Sequence, residues 1–349
     1  MNTSLKKNET LLNQSQLLKL EQINTWFPNE KSIWGNPKSW IKAVNGVTLN
    51  IIEGECLGLV GESGCGKSTL GRAILRLAPL TAGKIRFMGD EIGHLGASDL
   101  KPYRSKMQMV FQDPKASLNP KMTIFKILSE ALFLNSGLSK EHYLEQAVRL
   151  LDFVDLRPEH LYRYPHEFSG GQQQRICIAR ALATDPRFIV FDEATSALDV
   201  SVQAQVINLM KELQQKFNLT YLFISHDLSI MEHVCARVAV MYAGQIVEVQ
   251  DADALFESPR HPYTKALKNA VPIADPESKK SLGILKGEVP KLSDPPSGCH
   301  FHPRCDYKQD ICKKERPRVS ETGQNSWVRC HFHGTLWEQG TLIENKELS

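Results

Sequence analysis

The run Gly61-Glu62-Ser63-Gly64-Cys65-Gly66-Lys67-Ser68-Thr69 gathers three glycines, a lysine and hydroxyl side chains into one short stretch. It fits G-x-x-x-x-G-K-[ST] with the flanks that pattern requires, an apolar strand ending at Val60 and helix formers after Thr69. Such a stretch binds phosphate. Glycines let the backbone wrap closely enough for its N–H groups to point inward at anionic oxygens. The helix that follows turns its positive end toward the same anion. Lys67 would reach the β- and γ-phosphates, and the Ser68 hydroxyl would coordinate Mg²⁺. Gly61, Ser63, Gly64, Cys65, Gly66 and Thr69 complete the cradle.

About 120 residues further on, Phe188-Ile189-Val190-Phe191 reads as a buried strand that ends in Asp192-Glu193. Ligands of open α/β sheets sit at the carboxyl ends of strands. Asp192 is therefore placed to hold Mg²⁺, and Glu193 to polarise an attacking water as general base. Beside a phosphate loop, this pair points to a P-loop NTPase.

Four more pieces carry polar groups beside apolar runs or helix starts. Phe168-Ser169-Gly170-Gly171-Gln172 opens a segment of helix formers. Its two glycines leave N–H groups for a second phosphate-facing surface. A single nucleotide does not need two such surfaces from one chain, so this one would close on the nucleotide of a second subunit. The plainer alternative is a helix start with Ser169 as N-cap. Gln112 follows the strand Met107–Phe111, and His226 ends the strand Tyr221–Ser225. Ser196-Ala197-Leu198-Asp199 lies between Glu193 and a helix.

The elements that must position these residues are visible in the pattern. Residues 17–60 read as antiparallel strands, with a Lys-, Asn-, Gly- and Pro-rich loop inserted at Asn29–Ser39. Residues 118–165 are mostly helical, with apolar spacing at Ala147, Leu150, Leu151 and Val154. Val202, Val206, Leu209, Leu213 and Phe217 make one apolar helix stripe, a core-packing signal. Strand and helix alternate to about residue 250, which argues a mainly parallel sheet covered by helices. Past Pro259 prolines recur, and a helix near Tyr263–Ala270 leads into an irregular tail.

In order and spacing, these motifs resemble the ABC transporter ATPases over about residues 17–260. The resemblance implies an α/β fold with a RecA-like core, an antiparallel β subdomain and a helical subdomain at about 115–170, ahead of an irregular Cys-rich C-terminal extension. It makes Ser169, Gly170, Gly171 and Gln172 the signature sequence and Asp199 part of the D-loop, all nucleotide-contacting across a dimer interface. It makes Gln112 the Q-loop glutamine and His226 the switch histidine, catalytic beside Glu193. Mg²⁺ would fall to Ser68, Gln112 and Asp192. Phe27 would stack on adenine, with Trp26 as the alternative. Ala194-Thr195 stands where many members carry proline, a departure with no expected effect on the chemistry.

A finer resemblance, to the second (F-type) ATPase of oligopeptide and dipeptide permeases, covers about residues 17–332. It rests on Gly61–Leu75, Met107–Pro120, Arg163-Tyr164-Pro165-His166-Glu167-Phe168, His261–Leu267, Pro295–Cys299 and Phe301–Cys305. It implies an ATP-hydrolysing subunit for di- or oligopeptide uptake, peripheral on the cytoplasmic face of the inner membrane. It also implies a heterodimer with a D-type ATPase, two transmembrane permease subunits and a peptide-binding protein. The domain division expected is a flexible N-terminus at 1–16, the ATPase domain at 17–260 and the extension at 261–349. Nickel importers share much of the resemblance, so nickel or another solute is the alternative cargo. A non-transport ABC ATPase fits less well, because one cassette and no coiled-coil insert are seen. A metal-sensing regulator would not need the signature, D-loop and switch histidine together.

Cys299, Cys305, Cys312 and Cys330 crowd into the tail. Four thiolates suit an iron–sulfur cluster or tetrahedral zinc, with nearby histidines able to replace a thiolate; free thiols or a disulfide are the other readings. The permease resemblance implies a [4Fe–4S] cluster. Cys56, Cys65, Cys177 and Cys235 read as packing residues.

The bulk numbers agree with a cytosolic globular chain of one large domain and a smaller one. It has 349 residues, 42% apolar and 23% charged. The net charge of +3 is too small to point to nucleic acid. Apolar runs such as Phe188–Phe191 are far below the ~18–20 residues of a spanning helix, and the opening MNTSLKKNETLLNQSQ has no apolar h-region of a signal peptide.

Overall fold

The computed structural model describes residues 16–31, 37–134, 138–270, 287–333, 335–338 and 341–344. The N-terminal stretch expected to be flexible lies outside them up to residue 15, as do 271–286 of the extension. The loop expected at Asn29–Ser39 is shorter than its composition suggested: one strand runs Gln16–Lys31, the next Pro37–Ile52, and only 32–36 lie outside the described residues. Asn29 Nδ2 donates to Ser39 Oγ at 3.1 Å, which ties the two strands together at the expected loop ends.

The chain divides into two compact units. One comprises Met1–Leu20, Leu49–Cys56 and Lys84–Ile224; the other Glu21–Thr48, Leu57–Gly83 and Ser225–Ser349.

The first unit is built on parallel strands. Met107–Val110 pairs with Phe188–Asp192, and that strand pairs with Thr220–Ser225, with Val110 beside Phe191 and Asp192 beside Ile224. Both of the latter strands are buried at every residue. That is why they read as unbroken apolar runs rather than an alternation. Helices Ile124–Phe133, Tyr143–Asp152, Gly170–Leu182 and Val200–Phe217 pack in the same unit. The stripe Ala147, Leu150, Leu151 is buried, with Val154 just beyond the helix. Val206, Leu209 and Leu213 are buried along the longest helix, whereas Phe217 at its end stays partly exposed. Asn218 stops that helix in the left-handed conformation, φ 49°.

In the second unit, the strand reaching Val60 runs parallel to Arg237–Tyr242, with Leu57 beside Arg237 and Val60 beside Val240. Arg237–Tyr242 turns through Ala243-Gly244, both at positive φ, into the antiparallel strand Gln245–Asp251. Two positive φ values in a two-residue loop match the twist of the flanking strands. The tail, expected as irregular, adds order to this sheet: Ser326–Val328 pairs with Gln245–Asp251, and Ser320–Gly323 pairs with Ser326–Val328. The expected helix near Tyr263 spans Pro262–Ala270. Among the described residues, no helix is long and apolar enough to cross a membrane.

Candidate functional site

The glycine-rich loop follows its strand directly and runs into the helix Lys67–Ile74. Gly66 is the N-cap at φ 111°, and a Cβ there would stand 2.1 Å from the Ala43 carbonyl oxygen. Only glycine satisfies both constraints. Among the described residues no side chain caps this helix, so its first amides face the loop rather than a cap. Lys67 is 4% exposed, and its ammonium donates to the carbonyls of Gly61 at 2.7 Å and Glu62 at 3.1 Å. The lysine therefore curls back across the loop, carrying a positive charge inside a ring of main chain. Ser63 and Gly64 are exposed, Ser68 and Thr69 half-buried. Cys65 is buried and its thiol is pushed up to about 11 by that burial, so it is a neutral packing group.

In the first unit, Asp192 ends its strand 4% exposed and Glu193 follows half-buried. Glu193 sits at φ 49°, a left-handed conformation that a non-glycine residue adopts only under constraint. The constraint is visible. The Glu193 amide donates to the Ile224 carbonyl at 3.0 Å, and the Ser196 hydroxyl donates to the Glu193 carbonyl at 2.9 Å. Gln112, exposed just past its strand, donates from Nε2 to the Glu193 carboxylate at 3.1 Å and to Ser196 Oγ at 3.4 Å. The structure thus brings Gln112, Glu193 and Ser196 together, although 81 residues separate the first two.

The signature turn differs in kind. Ser169 caps the helix Gly170–Leu182, accepting from the Gln172 amide at 3.4 Å while Gln172 Oε1 accepts from the Ser169 amide at 3.1 Å. This is a capping box, the plainer alternative for Ser169, and it occupies donors at the helix start. Gly170 is exposed; Gly171 is buried, and a Cβ on it would lie 2.4 Å from Val202 Cγ1. Asp199 is exposed and caps Val200–Phe217, accepting from the Val202 amide at 2.9 Å and the Ser201 hydroxyl at 2.7 Å. The Val202 amide, with Ser201 second, holds its carboxyl below the usual range. In the second unit His226 is exposed, Phe27 is half-buried, and the Lys42 ammonium lies 5.3 Å from the Trp26 ring centre.

Sequence reasoning missed the residues that grip the phosphate loop from the C-terminal extension. Arg304 is 4% exposed in its side chain and makes a two-pronged ion pair with Glu62, at 2.6 and 3.0 Å. The Tyr263 hydroxyl accepts from the Glu62 amide at 2.9 Å. Tyr242, Tyr263 and Phe301 pack edge to face or tilted around this contact. His300 Nδ1 donates to the Ala243 carbonyl at 3.0 Å and its Nε2 accepts from Gln245 at 3.0 Å, a neutral tautomer consistent with burial holding its pKa down. Gly244 in turn donates to the Cys65 carbonyl at 2.9 Å. No local pattern announces these pairs; Glu62 and Arg304 are 242 residues apart.

The four tail cysteines correct an expectation. Cys299, Cys305, Cys312 and Cys330 do line one cavity, with Phe301, Tyr307 and Phe332 among its walls. Yet among the described residues no group of three or more His, Cys, Asp or Glu is placed to hold a metal ion. The cavity measures about 20 Å³, of the order of a single water. Burial pushes the Cys299 thiol up, and those of Cys305 and Cys330 up to about 12. Neither the expected [4Fe–4S] cluster nor zinc is supported.

The family model described as ABC transporter matches residues 44–196, and that described as the oligopeptide/dipeptide transporter C-terminal region matches 247–312. The oligopeptide transport ATP-binding protein AppF of Bacillus subtilis (strain 168) is 47% identical over 93% of this chain and 99% of its own length. The putative oligopeptide transport ATP-binding protein YkfD of the same organism is 47% identical over 91% of this chain and 95% of its own. Among solved structures, the ATP-binding cassette MJ0796 in a dimeric post-hydrolysis state bound to ADP and Pi is 27% identical with a TM-score of 0.59, covering 67% of this chain and 98% of that one. The cbiO1 protein of Clostridium perfringens, part of an ABC transporter complex, is 26% identical with a TM-score of 0.60, over 70% and 92%. The two Bacillus subtilis relatives are described as ATP-binding proteins of oligopeptide transport, and the expected heterodimer with a distinct D-type ATPase is not supported by these comparisons.

Proposed function

The chain belongs to the ABC transporter ATP-binding proteins, in the group of the oligopeptide transport ATP-binding proteins, and on that premise we propose that it hydrolyses ATP to power di- or oligopeptide uptake through membrane-spanning permease subunits. The observation that carries the reading is the Glu193 carboxylate, held at a strand end by Gln112 in a constrained backbone. A carboxylate fixed in this way is suited to a general base. In the reaction it takes a proton from water as the water oxygen bonds to the γ-phosphorus and the bond to ADP breaks. Lys67 and the loop amides bind the β- and γ-phosphates, and His226 serves the γ-phosphate. Phe27, or Trp26, stacks on adenine. Ser63, Gly64, Cys65 and Thr69 complete the cradle.

Mg²⁺, when bound, supplies charge neutralisation of the phosphates. Ser68, Gln112 and Asp192 would hold it, and their hydroxyl, amide and carboxylate oxygens are the hard donors that ion takes. With its nitrogen committed to Glu193, the Gln112 amide oxygen is the atom that remains for this task.

Ser169, Gly170, Gly171, Gln172 and Asp199 act toward the nucleotide of a second ATPase subunit. ATP closes the pair and hydrolysis reopens it. The ATPase domain is 17–260, with its helical subdomain at about 115–170, and 261–349 is the extension. The chain works on the cytoplasmic face of the membrane, with two permease subunits above it and a peptide-binding protein delivering cargo. The test is ATP turnover in liposomes that hold the chain with its co-expressed neighbours. Stimulation by a dipeptide-loaded binding protein is expected. Stimulation only by a nickel-chelate-loaded protein would overturn the peptide reading.

A further inference from the structure

Glu62 is the second residue of the phosphate loop, and every polar handle on it is taken. Its amide donates to Tyr263 Oη at 2.9 Å. Its carbonyl accepts from Lys67 Nζ at 3.1 Å and from the Cys65 amide at 3.3 Å. Its carboxylate accepts both arms of Arg304. Two of these partners, Tyr263 and Arg304, lie outside the nucleotide motifs, in the C-terminal region. Arg304 is itself fixed: its guanidinium donates to Tyr242 Oη at 3.4 Å and lies 5.8 Å from the Tyr242 ring centre. Tyr242 packs edge to face on Tyr263 at 4.6 Å and on Phe301 at 5.2 Å. Paired, planar guanidinium–carboxylate contacts are short, strong and geometrically specific.

A carboxylate on a loop that binds polyphosphate is a liability. Left as a bare charge, it repels the ligand. Turned, it drags the carbonyl on which Lys67 rests. We propose that Arg304 is a positioning residue for ATP binding, which neutralises Glu62 and fixes the loop that carries Lys67, with Tyr263 as its partner on the main chain. The role rests on the ATPase reading above and gives the C-terminal extension a direct part in the nucleotide step. Arg304 touches no reacting atom; it acts through Glu62.

The full chain, wild type and variants, is titrated with MgATP for Kd, and phosphate release is followed for kcat, with melting curves to establish folding. Wild-type chain that neither binds nor hydrolyses ATP would defeat the ATPase reading itself. Given an active wild type, Arg304→Ala is expected to weaken ATP binding about tenfold, the effect of about 1.4 kcal/mol, with kcat changed less than about twofold. Adding Glu62→Gln to Arg304→Ala should recover most of the lost affinity, because it removes the exposed charge. Arg304→Lys should fall between, since it keeps the charge and loses the fork. A folded Arg304→Ala chain with unchanged ATP affinity, or a loss that Glu62→Gln does not relieve, overturns the proposal. If Arg304→Ala does not fold, Arg304→Lys decides: weakened ATP binding at normal kcat supports it, and wild-type affinity overturns it.

Discussion

Two glycine-bearing turns open two helices in this chain, and they are built in opposite ways. At the phosphate loop, the helix begins at a left-handed glycine with no side-chain cap, and a buried lysine lies across the main chain. At the signature turn, Ser169 and Gln172 cap each other's amides. The first leaves its helix start without a side-chain cap and takes its rigidity from outside, through Tyr263 and Arg304. The second is rigid by itself and keeps only an exposed glycine edge for whatever it meets. A turn that must surround an anion cannot satisfy its own donors; a turn that only touches one from the side can. The two also differ in what their glycines are for. Gly66 is required by backbone conformation and a carbonyl, Gly171 by the neighbouring helix.

Substitutions separate the two designs. The largest effect is expected for Gly66→Ala, which combines a positive φ with a Cβ against the Ala43 carbonyl. Strain and displacement together should cost about 3 kcal/mol and abolish measurable ATP binding, read by denaturant titration and nucleotide binding. Gly171→Ala should cost about 2 kcal/mol through the contact with Val202. Because that clash is with a side chain, Val202→Ala in the same chain should restore stability, a rescue with no counterpart at Gly66.

Acid tests the packing behind the loop. Burial holds His261 down to about 3, and its Nδ1 accepts from the Tyr263 amide, which requires the neutral ring. Buried Glu248 faces it, accepting from the His261 amide at 3.0 Å. The unfolded chain binds a proton near pH 6.5 that the folded chain refuses. Stability is therefore full above that pH and falls as pH drops toward 3, by about 1.4 kcal/mol per pH unit; His300, also held down by burial, acts in the same direction. Urea midpoints at pH 7.5 and 5.5 should show the loss, and His261→Gln should reduce it. The smallest effect is expected at Ser169→Ala, about 1 kcal/mol for a lost cap, with nucleotide binding by the isolated chain unchanged.

Sequence pattern shows what is local. The phosphate loop and the strand that ends in Asp192-Glu193 are short runs with their own flanks, and their elements stand where the pattern puts them, at Cys56–Val60 and Phe188–Asp192. The stripe Val206, Leu209, Leu213 is buried as its spacing requires. What was not legible is long-range or depends on distance. Arg304 is one arginine among many until folding sets it on Glu62. The strand Ser326–Val328 has little apolar alternation of its own and is fixed by pairing with Gln245–Asp251. The four cysteines misled in the other direction: their crowding and the permease resemblance suggested a metal centre, whereas metal binding depends on how the sulfurs and histidines converge, which nearness in an irregular segment of sequence does not fix.

The central claim is that Glu193 is the base of an ATPase. Its most direct test is phosphate release by Glu193→Gln beside the wild type, with MgATP affinity measured on the same samples. A general base contributes about 10²–10⁴-fold, so turnover should fall by at least two orders of magnitude while ATP affinity stays within about twofold. Wild-type turnover in the folded Glu193→Gln chain would contradict the account.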